Sequence, residues 1–86
     1  QKVIARHGGA TVAIYLFDRG AELKPHAAAG TVIIQCIEGQ LALTADDEPH
    51  ILHPSDLIVM APHVRHGVFA TQRSIMLLTV SLQPAA

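Results

Sequence analysis

Aromatic residues are scarce in this chain, which has no tryptophan, one tyrosine and two phenylalanines. Tyr15, Phe17 and Phe69 offer little surface on which nucleobases or sugar rings could stack. Positive charge is not in excess either: 6 Lys and Arg residues stand against 7 Asp and Glu residues, and the formal net charge is −1. A nucleic-acid backbone calls for a basic face, so we predict no nucleic-acid partner.

Cysteine and long apolar runs are also lacking. A lone Cys36 cannot form an internal disulfide, which excludes a disulfide-stapled scaffold. Uninterrupted apolar runs stay far below the about 20 residues that a membrane-spanning helix needs. The sequence opens without a charged-then-apolar leader. We therefore predict no membrane partner and a cytoplasmic location.

The sequence does contain a repeat of short β-forming runs separated by turn residues. No segment keeps a 3.6-residue apolar period, no G-x-S-x-G elbow occurs, and no glycine-rich loop opens a helix for phosphate. Turn signals every 8 to 12 residues or so are typical of a β-sandwich or barrel. The sequence therefore predicts an all-β fold in one domain, residues 1–86. The predicted strands are residues 2–6, 11–17, 31–37, 40–45, 48–53, 57–61, 65–70 and 74–82.

Two stretches carry a recognisable spacing of glycine, histidine and proline. In residues 20–39, Gly20, His26 and Gly39 fit the pattern G-x5-H-x-H-x3-4-E-x6-G, and in residues 55–66, His66 falls at the histidine of the pattern G-x5-P-x-G-x2-H-x3-N. These patterns resemble the two signature motifs of the cupin family, and the short gap between them resembles its small single-domain microbial members. The resemblance implies a double-stranded β-helix, that is, an RmlC-like jelly-roll barrel.

The chain departs from these motifs where the family binds metal. The resemblance implies a centre of three imidazoles and one carboxylate, but Ala28 replaces the second histidine and Val32 replaces the glutamate. Only His26 and His66 remain as metal ligands, with His63 as a candidate third. Imidazole ligands suit a divalent ion such as Zn, Ni, Fe or Mn. The second motif is altered as well: its glycine, proline, second glycine and asparagine are replaced by Ser55, Ala61, His63 and Ala70.

Three functions remain open for these histidines. The first is a small-molecule-binding cupin without a full metal centre, whose apolar pocket has His26 and His66 as its polar contacts. The second is a metal-dependent enzyme, of the dioxygenase or isomerase kind, that uses a reduced His26 and His66 site. The third is a metal-free acid–base enzyme. The predicted ligand-pocket residues are His26, Val32, Ile34, Val59, His66 and Phe69.

The alternation of side chains along the predicted strands indicates that one face of a sheet contacts a partner. If His26 points into the barrel, Val32, Ile34 and Cys36 do too, because successive side chains of a strand face opposite sides. The opposite face of that strand then carries mostly apolar residues, whereas a small sandwich normally wets one face of each sheet. We predict a homodimer that covers it. The outer residues are Thr31, Ile33, Gln35 and Ile37.

Several other polar residues have plainer interpretations. Cys36 lacks a nearby cation in the sequence and is predicted to be a packing residue, although it could share a cavity with His26. Asp56 follows a turn and is predicted to accept backbone N–H groups rather than to catalyse. The remaining histidines fall at turns or strand ends and are predicted to be surface residues: His7, His50 and His53.

Overall fold

Alternating apolar and polar positions, broken by turn residues, form nine strands in this computed structural model, which describes residues 1–82. The strands are β1 (Lys2–His7), β2 (Ala10–Phe17), β3 (Glu22–His26), β4 (Thr31–Glu38), β5 (Leu41–Ala45), β6 (Glu48–Leu52), β7 (Leu57–Met60), β8 (His66–Ala70) and β9 (Ser74–Ser81). No helix in the described part of the chain is long and apolar enough to cross a membrane.

The strands form two antiparallel sheets that face each other. One sheet has five strands in the order β1-β2-β9-β4-β7, and the other has four in the order β3-β8-β5-β6. Consecutive strands often lie in different sheets, so most close contacts join residues far apart in the sequence. The all-β prediction is confirmed.

The core fills the space between the inner faces of the sheets. On β4, Val32, Ile34 and Cys36 point inward and are at most 2% exposed, as parity predicts. Each large aliphatic side chain buried in this way stabilises the fold by roughly 1.5–3 kcal/mol relative to exposure. The buried apolar cluster consists of Phe17, Val32, Ile34, Cys36, Leu41, Leu43, Leu52, Met60, Val68, Ala70 and Met76.

Strand β3 is the one element that the sequence did not predict. Its residues Glu22, Lys24 and Pro25 are exposed, so the segment has little of the apolar alternation that marks a half-buried strand. Proline also lacks the N–H group that a central strand needs. Because β3 lies at the edge of its sheet, it can accommodate Pro25.

Several turns contain residues in the left-handed backbone conformation. Asp46 and Asp47 have φ of 47° and 66° and join β5 to β6 through a two-residue hairpin, a geometry that aspartate tolerates. Gly39 has a φ of 86° and reverses the chain after β4, a backbone conformation that glycine adopts readily. That reversal is not a hairpin, however, because β4 and β5 belong to different sheets.

Candidate functional site

A cavity of about 310 Å³ lies between the two sheets. Most of its walls are aliphatic, with contributions from β4, β8 and β9. Its polar lining includes His26 and His66 from the four-stranded sheet and Arg6 and Tyr15 from the five-stranded sheet. The volume is at the lower end of the range for small-molecule sites.

A one-residue irregularity in β3 brings the two histidines together. Leu23 pairs with Val68 and His26 pairs with His66, so three residues of β3 advance against two of β8. Strict alternation from the cavity-lining Leu23 would turn His26 away, and the extra residue reverses that direction. The two imidazole centroids are 4.5 Å apart, and the rings meet edge to face at 60°.

Both imidazoles make the same hydrogen bond to a backbone carbonyl two residues earlier in the chain. The Nδ1 atom of His26 is 3.0 Å from the carbonyl oxygen of Lys24, and that of His66 is 3.1 Å from the carbonyl oxygen of Val64. A carbonyl can only accept, so Nδ1 carries the proton in both rings. In the neutral state each Nε2 therefore keeps its lone pair, and neither has a hydrogen-bond partner among residues 1–82.

The two histidines differ in their contact with solvent. His66 is 2% exposed, whereas His26 is exposed at the rim of the cavity. Burial lowers the pKa of His66 below that of an ordinary histidine, the hydrogen bond to Val64 opposes this, and the neighbouring His26 lowers it further. His66 is consequently a neutral imidazole at pH 7.

Four of the six predicted pocket residues line this cavity, and two do not. His26, Val32, Ile34 and His66 lie in its wall. Phe69 is 43% exposed because it is an odd number of residues from the inward-facing His66 on the same strand. Placing Phe69 in the pocket was therefore wrong, and its ring lies in a groove of about 240 Å³ on the outer face of the four-stranded sheet.

Val59 was also wrongly placed in the pocket. It is 59% exposed on β7, where it pairs with Ile33 on the outer face of the five-stranded sheet. Its neighbours Ile58 and Met60 point inward instead.

His63 does not join the histidine pair. It is exposed in a turn with a φ of 72°, and its backbone N–H donates to the carbonyl oxygen of Ala28 at 2.8 Å. The family motif places glycine here, which fits a left-handed backbone. Ser55, at the other glycine position of the motif, has a φ of 78° for the same reason. Substitution at both positions leaves the turn geometry in place.

The donor set does not fit the four-ligand metal centre that the family motif implies. Within residues 1–82, no three His, Cys, Asp or Glu side chains are grouped to hold a metal ion. Ala28 and Val32 line the cavity and offer no donor atom. Two neutral imidazoles without a carboxylate supply neither enough ligands nor any negative charge for a divalent cation.

Several residues that line the cavity were not predicted from the sequence. Arg6 and Tyr15 are the most polar of them, and both lie on strands that carry no motif. The alternation of side chains along β2 could have predicted Tyr15, since Thr11, Ala13 and Tyr15 share one face of that strand. The other unpredicted lining residues are Gln1, Val3, Leu23, Ala28, Val68, Leu78 and Val80.

Cys36 and Asp56 behave as predicted. Cys36 is fully buried outside the cavity lining, and burial, together with the charge of Asp56, raises the pKa of its thiol. A buried thiol held protonated in this way is a poor nucleophile. Asp56 Oδ2 accepts the backbone N–H of His53 at 2.9 Å, which is the turn-stabilising role expected of it.

The remaining histidines lie outside the cavity. His7 and His53 are exposed, and His53 is 3.5 Å from Asp56. His50 is partly exposed beside Glu48, at 3.9 Å. All three lie on the surface, as predicted.

Comparison with known proteins identifies the family. Residues 13–81 match the family model described as "Cupin domain", so the chain belongs to the cupin family. No curated protein sequence matches the chain.

Three similar solved structures come from bacterial proteins. KdgF from a Halomonas species is 26% identical, with a TM-score of 0.87 over 95% of this chain and 77% of that one. An RmlC-like cupin from Desulfovibrio desulfuricans is 20% identical, with a TM-score of 0.84 over 93% and 78%. A salicylate 1,2-dioxygenase from Pseudaminobacter salicylatoxidans is 18% identical, with a TM-score of 0.80 over 85% of this chain but 21% of its own. These likenesses confirm the jelly-roll barrel.

Burial of neutral His66 predicts a loss of stability in mild acid. The pKa of His66 is lower in the folded protein than in the unfolded chain, so unfolding takes up a proton as the pH falls through the ordinary histidine value of about 6.5. The free energy of unfolding should therefore be constant in this respect above about pH 7 and decrease below pH 6.5. The slope for one proton is at most about 1.4 kcal/mol per pH unit. Urea denaturation between pH 5 and pH 8 measures it.

The matched control is His66→Asn, which keeps a polar side chain but cannot titrate. Its stability should change less with pH than that of the wild type, and the difference isolates His66 from the five other histidines. Parallel pH profiles for the two proteins would contradict the assignment.

Proposed function

We propose that this cupin domain binds a small, mostly apolar molecule in the cavity between its sheets, and that the molecule donates a hydrogen bond to the histidine pair. The observation that carries this proposal is the identical Nδ1 hydrogen bond of His26 and His66, which leaves two Nε2 lone pairs in an otherwise largely aliphatic wall. Small-molecule sites are usually lined by apolar side chains with a few precisely placed polar groups.

The interior cavity is favoured over the groove on the outer sheet face. That groove is shallow and lined by Phe69, Ile51 and Pro25, and the histidine pair does not reach it. The interior cavity is enclosed by two sheets, which removes more of a ligand's apolar surface from water. It also supplies acceptors whose direction is set by the backbone.

Filling part of the cavity should weaken binding. Ala28 lines the cavity and is only partly exposed, so Ala28→Phe places a ring where a ligand enters. With 1-hexanol as the probe, which has one hydroxyl donor and an aliphatic body, we expect Ala28→Phe to weaken binding at least about tenfold. Amide chemical-shift changes in a titration of the ¹⁵N-labelled protein measure the affinity.

The neighbouring residue provides the control. Ala29 is exposed and does not line the cavity, so Ala29→Phe adds the same ring without obstructing the site. It should leave the affinity for 1-hexanol unchanged. Shift changes centred on Phe69 and Ile51, or equal losses in both variants, would move the binding site to the outer groove and contradict the proposal.

The second candidate is a metal-dependent cupin enzyme, the alternative that the sequence left open. One observation favours it: metal-binding histidines almost always donate their other ring N–H to a carbonyl or carboxylate, as His26 and His66 both do. The lack of a third and a fourth metal-binding side chain beside them among residues 1–82 argues against it. Whether the chain is a metal-dependent enzyme therefore depends on how tightly two imidazoles hold a divalent ion.

Restoring one ligand should raise metal affinity. In Ala28→His, the position that bears histidine in the family motif gains an imidazole beside His26 and His66, giving the three-histidine set that zinc enzymes use. We expect Ni²⁺ and Zn²⁺ to bind at least about tenfold more tightly than to the wild type, by isothermal titration calorimetry. Ala29→His should show no gain, and neither should Ala28→His combined with His66→Ala.

Elemental analysis of the wild-type protein decides between the two functions. Stoichiometric Zn, Ni, Fe or Mn that survives gel filtration and is lost in His66→Ala would support the enzyme and contradict the metal-free binding site.

We also propose that two copies of the chain associate through the outer face of the five-stranded sheet. This face carries aliphatic side chains on every strand but the edge strand β1, with Leu16 72% exposed and Val59 59% exposed. Strand register places the remaining members of this outer face beside them, and its central strands present no charged side chain there. These residues are Val12, Ile14, Ile33, Gln35, Leu57, Ile75, Leu77 and Thr79.

The size of this face suits a second copy. Five strands at about 4.8 Å spacing and up to eight residues at about 3.3 Å give a face of roughly 500–600 Å². Two such faces bury about 1,000–1,200 Å², which reaches the lower limit for a specific interface. The central strands of this face carry no charged side chain there, so the face requires no partner of opposite charge, which favours a twofold dimer.

A charge on the outer face should separate the dimer. Val59→Asp places a carboxylate among aliphatic side chains of the proposed interface, so we expect a monomer in sedimentation velocity at about 20 μM, where the wild type sediments as a dimer. Ile51→Asp is the control, because Ile51 is 49% exposed on the outer face of the other sheet. A monomeric wild type, or a dimer broken by Ile51→Asp and not by Val59→Asp, would contradict this interface.

A further inference from the structure

The titratable groups in the cavity wall are basic or neutral. Arg6, His26 and His66 line it, together with the phenol of Tyr15, whereas no Asp or Glu of residues 1–82 does. Arg6 is the one permanently charged group in this lining. Arg6 is exposed, so its charge lies at the solvent-facing edge of the cavity, where a ligand that brings its own negative charge can reach it.

The position of Arg6 on β1 turns it toward the cavity. Arg6 pairs with Thr11, whose side chain also lines the cavity, whereas Lys2 on the same strand pairs with Ile14 on the outer face. The guanidinium makes no hydrogen bond or ion pair with any of the described residues. Its five N–H donors are therefore available to a ligand.

A carboxylate fits this guanidinium better than a phosphate does. The planar fork of arginine binds both oxygens of a carboxylate in parallel hydrogen bonds. Phosphate sites add several backbone N–H groups, usually at a helix N-terminus. The cavity walls are strands whose N–H groups are used in the ladders, so little remains for a second and third phosphate oxygen.

The histidine pair selects a different group. With its proton on Nδ1, an imidazole presents an Nε2 lone pair, which repels a carboxylate and accepts from a hydroxyl. Arg6 belongs to the five-stranded sheet and the histidines belong to the four-stranded sheet, so the two polar contacts come from opposite walls. Between them the lining is aliphatic, with Leu23, Val68 and Leu78 among its members.

We infer that the ligand is a small aliphatic hydroxycarboxylate, whose carboxylate binds the Arg6 guanidinium and whose hydroxyl donates to Nε2 of the histidine pair. The inference rests on the proposed function, because it names the ligand class of the same cavity. It assigns Arg6 as a binding residue that neither the motif positions nor the metal-centre pattern includes.

A matched ligand series tests each end of the molecule separately. The probes are 2-, 4- and 6-hydroxyhexanoate, which scan the distance between the two walls, with the corresponding hydroxyhexanamides and with hexanoate. Calorimetry or NMR titration at pH 7.5 gives the affinities. In the wild type we expect one hydroxyhexanoate to bind at least about tenfold more tightly than its amide, as a hydrogen bond to a charged group implies.

Variants then connect each preference to its residue. Arg6→Gln should reduce the preference for acid over amide to about twofold or less, while Lys2→Gln, on the opposite face of the same strand, should retain it. His26→Phe and His66→Phe should remove the preference for the hydroxyhexanoate over hexanoate. Two variants guard against the chance that substitution of buried His66 prevents folding.

The outcomes separate this inference from the proposed function. Two results together would overturn the hydroxycarboxylate assignment and still support the binding cavity. These are binding of 1-hexanol that is weakened in Ala28→Phe and equal affinities for acids and amides. An acid preference that survives in Arg6→Gln would also overturn it. Failure of every probe to enter the cavity would overturn both proposals.

Discussion

The chemistry of the cavity depends on one extra residue in β3. Without the irregularity between Leu23 and His26, alternation would turn the His26 imidazole to the outside, and His66 would stand alone in an aliphatic wall. With it, two rings face each other across neighbouring strands, and each is oriented by a carbonyl two residues earlier. An edge strand tolerates such an irregularity because its outer side has no ladder to disrupt.

The two backbone hydrogen bonds then determine the polarity of the site. They hold the protons on Nδ1 and leave two Nε2 acceptors in the cavity wall, and the burial of His66 keeps its ring neutral at pH 7. A site of this kind distinguishes ligands by the donors they carry. Because a ligand lacking the donor leaves a buried acceptor unpaired, discrimination can exceed what the apolar walls provide.

The sequence suffices to place a side chain where a motif residue fixes the parity of its strand, and does not suffice where strand pairing decides. Ile34 was placed correctly because it is an even number of residues from Val32 on one strand. Phe69 could have been placed by the same rule, since it is three residues from His66. Val59 could not, because its face follows from its pairing with Ile33, and no residue of β7 fixes that register in the sequence. Arg6 was missed for the same reason: β1 carries no motif, and its register against β2 shifts between Val3 and Ala5.

The substitutions at the family's metal positions have a combined electrostatic effect. Val32 stands where the motif has a glutamate and lines the same cavity as Arg6. With valine at this position and alanine at 28, the cavity wall has no carboxylate from the described residues that could neutralise the guanidinium. If the hydroxycarboxylate inference holds, Arg6 supplies the positive charge that the resemblance to the family motif assigns to a metal ion.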